Sequence, residues 1–459
     1  MEKYDVIIIG AGMSGMAAAI RLAMYDKKVL LLEKHIITGG LNSYYKRAKR
    51  DFDVGLHALT NYMEKGEKRK PLSKLLKQLR IPYDDLKLSP QRHSKIIFPE
   101  KSLTFTNDLN DFTQEISEYF PDQVDGFNKL VNYINNFSET ALDNEHILAK
   151  EVVRQYITNE ELLEMIFCPL LIYGSAWEND MDFSQFAIMF KSIYMEGFSR
   201  PEGGVRTIIN ILLKKLEDLG QVIRFKSEVE SIETNNGKVV GVKLKNGDFL
   251  QTEKVISSMG YPETLSVVSG VTPKTQPAIG KMTFCESILV LDKKPKDLGF
   301  DSTIVFYNNR PKYLYREPTE LYDPSSAVIC FPNNFTHDDF EEGWVRITNM
   351  ANFKLWNELE RPEYKAQKEL VFNDACQLTK KLMPSWNGEV LFKDIFSPTT
   401  IKKYTGHFGG TVYGSTDKSR DGSTEIYGLY LCGTDQGFLG IVGSMLSGIS
   451  MANLYGLMD

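Results

Sequence analysis

Hydrophobic positions along the chain fall into two alternating rhythms. The stretch Tyr4 to Ile9, YDVIII, sets three isoleucines in succession, the pattern of a short strand buried on both faces. Apolar residues then recur at helical spacing from Met13 to Tyr25, and Lys28 to Leu32 is a second buried strand that ends at Glu33. Strand, helix and strand in this order predict a βαβ unit with parallel strands. Farther along, Arg200-Pro201-Glu202-Gly203-Gly204 leads into a helix whose Val205, Ile208, Ile209, Leu212, Leu213 and Leu216 share one face. Asn236-Gly237 and Asn246-Gly247 punctuate the strands that follow, as in hairpins. Between these regions the rhythm predicts helices over Val124 to Phe137, Glu160 to Phe167 and Tyr364 to Leu382, and a strand over Ser287 to Leu291.

The final apolar stretch reads two ways. From Gln436 to Met458 there is no charge, a length that could cross a bilayer. Within Gly437 to Gly456, however, lie five glycines, three serines and an asparagine, and each lowers the preference for lipid. Ser444 and Gly448 form a small-xxx-small pair that membrane helices also use.

Composition narrows the class. Over 459 residues, 42% are apolar and 25% charged, enough for substantial cores in two or three domains. A net charge of −6 argues against a nucleic-acid footprint. Cys168, Cys285, Cys330, Cys376 and Cys432 lie far apart without metal-ligand spacing, as free thiols in a reducing compartment would. No metal site is expected. The run before the first glycine turn is too short for a signal peptide, which points to a cytoplasmic protein.

That turn, GAGMSG, carries the chemistry. Gly10, Gly12 and Gly15 have the GxGxxG spacing between a strand and a helix, and Glu33 ends the next strand. Gly10 permits the tight turn, Gly12 lets backbone approach a pyrophosphate, and Gly15 lets helix and strand pack closely. The helix N-terminus beginning at Met13 and Ser14 offers free N–H groups to phosphate. Glu33 would accept hydrogen bonds from the adenosine ribose. A second copy of the fingerprint is missing.

Further motifs extend from end to end: GGLNSYY at Gly39, FDVGLH at Phe52, RPEGGVRTIINILLKKLEDLG at Arg200, VISSMGYPETL at Val255, SPTTIKKYTGHFGGTVYG at Ser397 and LYLCGTDQGFLGIVGSMLSG at Leu429. With them the chain resembles the FAD-dependent phytoene desaturase-like enzymes, the carotenoid isomerase and retinol saturase branch of the flavin amine oxidase superfamily. The resemblance implies an α/β fold: a Rossmann-type FAD-binding domain of the glutathione reductase kind, over 1–75, 195–270 and 395–459, interrupted by a mixed α+β substrate-binding domain over 76–194 and 271–394. It implies FAD contacts from Gly10, Gly12, Met13, Ser14, Gly15, Glu33, Lys34, Gly40, Leu41, Asn42, Val229, Gly433, Asp435, Gly440, Ile441 and Val442. Asp435 would reach the ribityl–pyrophosphate part and Val229 the adenine. The closing apolar stretch becomes a buried helix aimed at the flavin. FAD is expected to be non-covalent, because Cys432 should point into the sheet.

The implied activity is oxidation, reduction or cis–trans isomerisation of a long apolar isoprenoid, with an external electron donor or acceptor. Ile441 stands where amine oxidases of the superfamily carry an aromatic, which favours an apolar substrate over an amine. Amine oxidation stays open, as does a non-catalytic lipid carrier like the GDP-dissociation inhibitors. His57 is the candidate catalytic side chain; Tyr404 and His407 are weaker ones, and Asp53 reads as structural or cofactor-side. Phe183, Phe186, Phe190, Tyr194, Phe306, Tyr307, Tyr313 and Tyr315 would line a tunnel or fill ordinary core. From Lys46 to Arg80 there are eleven Lys or Arg against four Asp or Glu. Leu72, Leu75, Leu76 and Leu79 share a face there, which suggests either contact with an anionic membrane or a surface helix with a solvated basic side.

Overall fold

The computed structural model describes residues 2–338 and 340–458. The first βαβ unit forms as the pattern predicts. Strand Val6–Ile9 runs into helix Met13–Ala23 and returns through strand Val29–Leu32, both strands wholly buried. They lie in a parallel sheet with the order 429–431, 255–257, 6–9, 29–32, 223–224, so three separate stretches of chain build it. Beside it, a small sheet takes Val229–Asn235, Lys238–Leu244 and Phe249–Gln251 as an antiparallel meander. Its first turn has Asn236 and Gly237 both at positive φ, 52° and 73°, the geometry of a two-residue hairpin.

The second layer is a seven-stranded sheet in the order 390–396, 283–291, 343–351, 326–330, 304–308, 94–97, 102–105. Every pairing in it is antiparallel except 304–308 with 94–97. Helices Leu109–Tyr119, Val124–Asn136, Glu160–Gly174 and Phe183–Phe190 gather at one side around a core shared with Phe105 and Phe306. Helix Arg361–Leu382 packs on strand Thr283–Leu291.

Two ambiguities of the sequence end here. The closing stretch forms helix Gly440–Met451 and a π-helical turn, Ala452–Gly456, packed along Met13–Ala23. Among the described residues no helix is long and apolar enough to cross a membrane. Gly448 explains the small-xxx-small pair: a Cβ there would run into the Ser14 carbonyl, so this glycine sets the distance between two packed helices.

For helix Pro71–Leu79 the structure agrees with the second of the two readings, a surface helix with a solvated basic side. Leu72, Leu75, Leu76 and Leu79 are 2%, 2%, 6% and 0% exposed and lie in the core with Met445 and Ile449, while Lys74 and Lys77 face water. The apolar face is satisfied by protein, so it offers no surface to an anionic membrane. Leu79→Ala should therefore lower unfolding free energy by about 2–5 kcal/mol in chemical denaturation, as core truncations do. A stability unchanged within error, with liposome binding lost instead, would return that face to the membrane.

Candidate active site

The glycine turn realises three distinct demands. Gly10 lies at φ +96°. Gly12 caps the helix with ordinary φ −73°, and a Cβ built on it meets nothing within 4 Å. At Gly15 a Cβ would strike the Gly10 carbonyl oxygen. The turn thus closes tightly, packs tightly, and leaves open space in front of an uncapped helix N-terminus, as a phosphate group requires. Gly39 hydrogen-bonds to the Ala11 carbonyl at 2.8 Å, and Gly40 (φ +57°) brings the next turn against Gly12.

Glu33 is 8% exposed. Its Oε2 accepts from the Ala11 N–H and its Oε1 from the His35 N–H, each at 2.9 Å. Each oxygen keeps a lone pair for a ribose hydroxyl. Lys34 lies against Gly406, and burial pulls its ammonium below the usual lysine range. Val229 is buried at the start of its strand, beside Ile9 and Leu32. The open cradle at Gly12, the held acid and the free N–H groups together fit the adenosine and pyrophosphate parts of FAD.

Asp435 is placed otherwise than expected. It is 2% exposed, and its oxygens accept from the backbone N–H groups of Tyr261 (2.6 Å) and Ser415 (2.9 Å) and from Lys418 Nζ (3.0 Å). The loop comes this close because Gly414 has no Cβ; one would collide with Asp435 Oδ1. Burial draws Lys418 below its ordinary value while Asp435 pulls the other way. Asp435 therefore fixes the turn, and Thr434 lines the cavity beyond. Gly433 is tied to Ser447 Oγ at 2.6 Å and lies against Ser14. Met13 and Val442 have their side chains in the core behind the cradle. Burial pushes the Cys432 thiol up to about 12.

A cavity with about 1280 Å³ of empty space, part of it open to solvent, lies between the two layers. Of the residues singled out in the sequence it gathers Leu41, Asn42, His57, Gly440 and Ile441. Most of the remaining wall is apolar: Leu56, Ile172, Met189, Phe284, Val328, Phe396, Ile401 and Val412. Of the two readings of the eight aromatics, tunnel or ordinary core, the second holds: Phe183, Phe186, Phe190, Tyr194, Phe306, Tyr313 and Tyr315 pack in one core cluster and Tyr307 in another. The aromatic wall comes instead from Tyr173, Phe284, Phe396 and Tyr413. Tyr404 is 55% exposed, and His407 sits 3.7 Å from Glu263; neither lines the cavity.

The polar part of the wall was invisible in the sequence. Glu286, Thr348 and Tyr173 line the cavity beside His57. Arg346, behind them, donates from Nε to Glu286 Oε1 at 2.6 Å, and its other nitrogens reach the carbonyls of Leu56 (2.5 Å) and Val54 (2.7 Å). Burial drives the Glu286 carboxyl above the usual carboxylate range, against the opposing pull of Arg346. His57 Nε2 lies 2.9 Å from Thr348 Oγ1 and 3.6 Å from Glu286 Oε2. Burial, then Arg346 and Arg200, hold the His57 imidazole well below its ordinary value, so it is neutral near pH 7. The Tyr173 hydroxyl is buried and has no hydrogen-bond partner among the described residues. Asp53 is structural: it binds Arg200 Nη1 at 2.7 Å and caps the Val205 N–H at 3.0 Å. The only hint of this group in the sequence is one acid in strand Thr283–Leu291 and one arginine in Gly343–Ala351, two strands buried at every position.

Comparison with known proteins agrees with this geometry. The family model of flavin containing amine oxidoreductases matches residues 13–453. Prolycopene isomerase of Daucus carota is 26% identical, over 98% of this chain and 80% of that one. All-trans-retinol 13,14-reductase of Danio rerio is 22% identical, over 99% and 86%. A solved oxidoreductase of Methanosarcina mazei superposes with a TM-score of 0.69 at 18% identity, over 98% of this chain and 100% of its own. With a matched region that takes in nearly the whole chain, this protein belongs to the flavin containing amine oxidoreductase family and is an FAD-dependent enzyme.

Proposed function

We propose that the protein holds FAD non-covalently and acts on an extended isoprenoid polyene by redox chemistry or cis–trans isomerisation. The observation that carries the reading is the cavity: apolar over most of its wall, bounded by Leu41, Gly440 and Ile441 at the cofactor end, with the one carboxyl that lines it among the described residues, Glu286, held by the Arg346 guanidinium. An ammonium ion would need net negative charge there, and a hydrocarbon needs none. The relatives named as acting on prolycopene and all-trans-retinol support the same substrate class.

FAD, when bound, supplies a two-electron carrier that gives or takes hydride at its ring. In this reading Gly10, Gly12, Gly15 and the helix N-terminus at Met13 and Ser14 receive the pyrophosphate. Glu33 receives the ribose, Lys34 and Val229 flank the adenosine, and Gly40, Leu41, Asn42, Thr434 and the Gly440–Val442 backbone surround the ring. Leu56, Ile172 and Val412 keep water from the reacting carbons. Electrons enter or leave through oxygen, a quinone or a separate carrier, since the chain has one nucleotide fingerprint.

Three measurements test this account. Acid precipitation should release all flavin into the supernatant, because the buried Cys432 thiol is a poor nucleophile; flavin left on the precipitate would refute non-covalent binding. Gly12→Ala should fold with wild-type stability within about 0.5 kcal/mol, yet bind FAD at least about tenfold more weakly, ~1.4 kcal/mol, since its methyl group enters the cradle. Gly15→Ala should instead lose stability. Equal FAD affinity in Gly12→Ala would remove the pyrophosphate from that turn. Finally, oxidised and pre-reduced enzyme should each be mixed with polyene and amine panels while flavin absorbance and product mass are followed. Conversion of a polyene is expected. Rapid flavin reduction by amines with polyenes inert would make this an amine oxidase, and protein purified without any flavin absorbance would favour a lipid carrier.

A further inference from the structure

One acid in the cavity wall is engaged at only one of its two oxygens. Glu286 Oε1 is held by Arg346, at 2.6 Å from Nε. Oε2 accepts no hydrogen bond among the described residues, and its near neighbour is neutral His57 at 3.6 Å. The hydroxyl of Thr348, opposite Glu286 in the strand register, fixes the imidazole. The other nearby acids are engaged elsewhere: Asp53 by Arg200 and the Val205 N–H, Asp394 by Tyr45 and Arg47. Titratable groups around Glu286 are thus Arg346 on one flanking strand, Asp394 on the other, Asp53 and His57 on the 50–57 segment, Cys330 behind His57, and Tyr173 farther round the wall.

We propose that Glu286 exchanges a proton with the unsaturated carbon chain held in the cavity, and that Arg346 and His57 position it. The inference rests on the polyene reading above. Bonds and electrons balance as follows. The O–H bond of protonated Glu286 breaks while the electron pair of one C=C forms a C–H bond. Positive charge spreads over the remaining conjugated chain, and the former double bond, now single, turns. The Glu286 carboxylate then removes a proton from the same carbon and the C=C re-forms in the other geometry. No oxidant or reductant is consumed. The surroundings suit both halves of the cycle: an apolar wall favours the protonated acid, and Arg346 stabilises the carboxylate once the proton has left.

The test is solvent exchange. Holoenzyme in D2O is given a conjugated polyene, and recovered substrate and product are weighed by mass spectrometry. The wild-type protein should place deuterium in both, since the carboxyl is loaded from solvent. Glu286→Gln should lower exchange by about 10²–10⁴-fold at unchanged polyene affinity and flavin absorbance, and Glu286→Asp should restore part of it. In flavin-free protein, infrared titration should find a carboxyl band that persists above the usual carboxylate range and is missing in Glu286→Gln. Polyene turnover by the wild-type protein without deuterium uptake, or full exchange in Glu286→Gln, overturns the role of Glu286 and leaves the polyene reading intact. A panel in which no polyene binds or reacts overturns that reading and this inference together.

Discussion

The arrangement of the active site depends on one buried guanidinium. Arg346 projects from the middle of the seven-stranded sheet and spans two parts of the protein: the Glu286 carboxylate on the neighbouring strand, and the carbonyls of Val54 and Leu56 on the segment that passes beneath the cavity. Removing a cation from water is expensive, and only complete hydrogen bonding offsets it. Burial opposes the charge on Arg346, but Glu286 and Asp53 outweigh it and hold the guanidinium above its ordinary value. The same contacts fix the position of His57, one residue beyond Leu56. Loss of the arginine would leave a buried carboxylate and two carbonyls without donors, a defect that typically costs about 3–5 kcal/mol. The two layers are therefore joined at this corner by buried polar contacts, and farther along by Arg50 with Glu342 and by Tyr45 and Arg47 with Asp394.

A second pair balances the first. Asp53, next to Val54, pairs with Arg200 from a distant part of the chain, and both side chains are 8% exposed. When Glu286 is ionised, two acids and two arginines bring this corner to no net charge. Asp53 also tightens the entry to helix Val205–Asp218: Gly204 is left-handed at φ +71°, and a Cβ there would clash with the carboxylate. One side chain thus ties charge balance to the start of a helix.

What the sequence reveals and what it hides have the same physical origin. The cradle at Gly10, Gly12 and Gly15 is legible because each glycine answers a local backbone demand, within a few residues of the strand and helix it joins. Glu286, Arg346 and Thr348 are not, because they meet only through a strand register that spans some sixty residues of intervening chain, with Glu286 opposite Thr348 and Ile288 opposite Arg346. The leucines at 72, 75, 76 and 79 show a face that avoids water, but helical periodicity is the same against a bilayer as against Met445 and Ile449. Asp435 shows a further limit. An acid after a strand can turn outward to a ligand or inward to the protein, and here a glycine twenty-one residues upstream, Gly414, admits the loop that captures it.

The order of strands in the parallel sheet also bears on how the protein is made. Of the strands in this sheet Val6–Ile9 is made first, yet one of its neighbours, Val255–Ser257, follows much later, and Leu429–Leu431 closes the edge last of all. Until then the apolar flank of the nascent sheet and its unpaired N–H and C=O groups stay open to other chains. Helix Gly440–Met451, which covers the first helix, arrives later still. A chain interrupted before Leu429–Leu431 would carry the complete glycine turn beside an unfinished sheet edge, so it should aggregate rather than survive as a weakened enzyme.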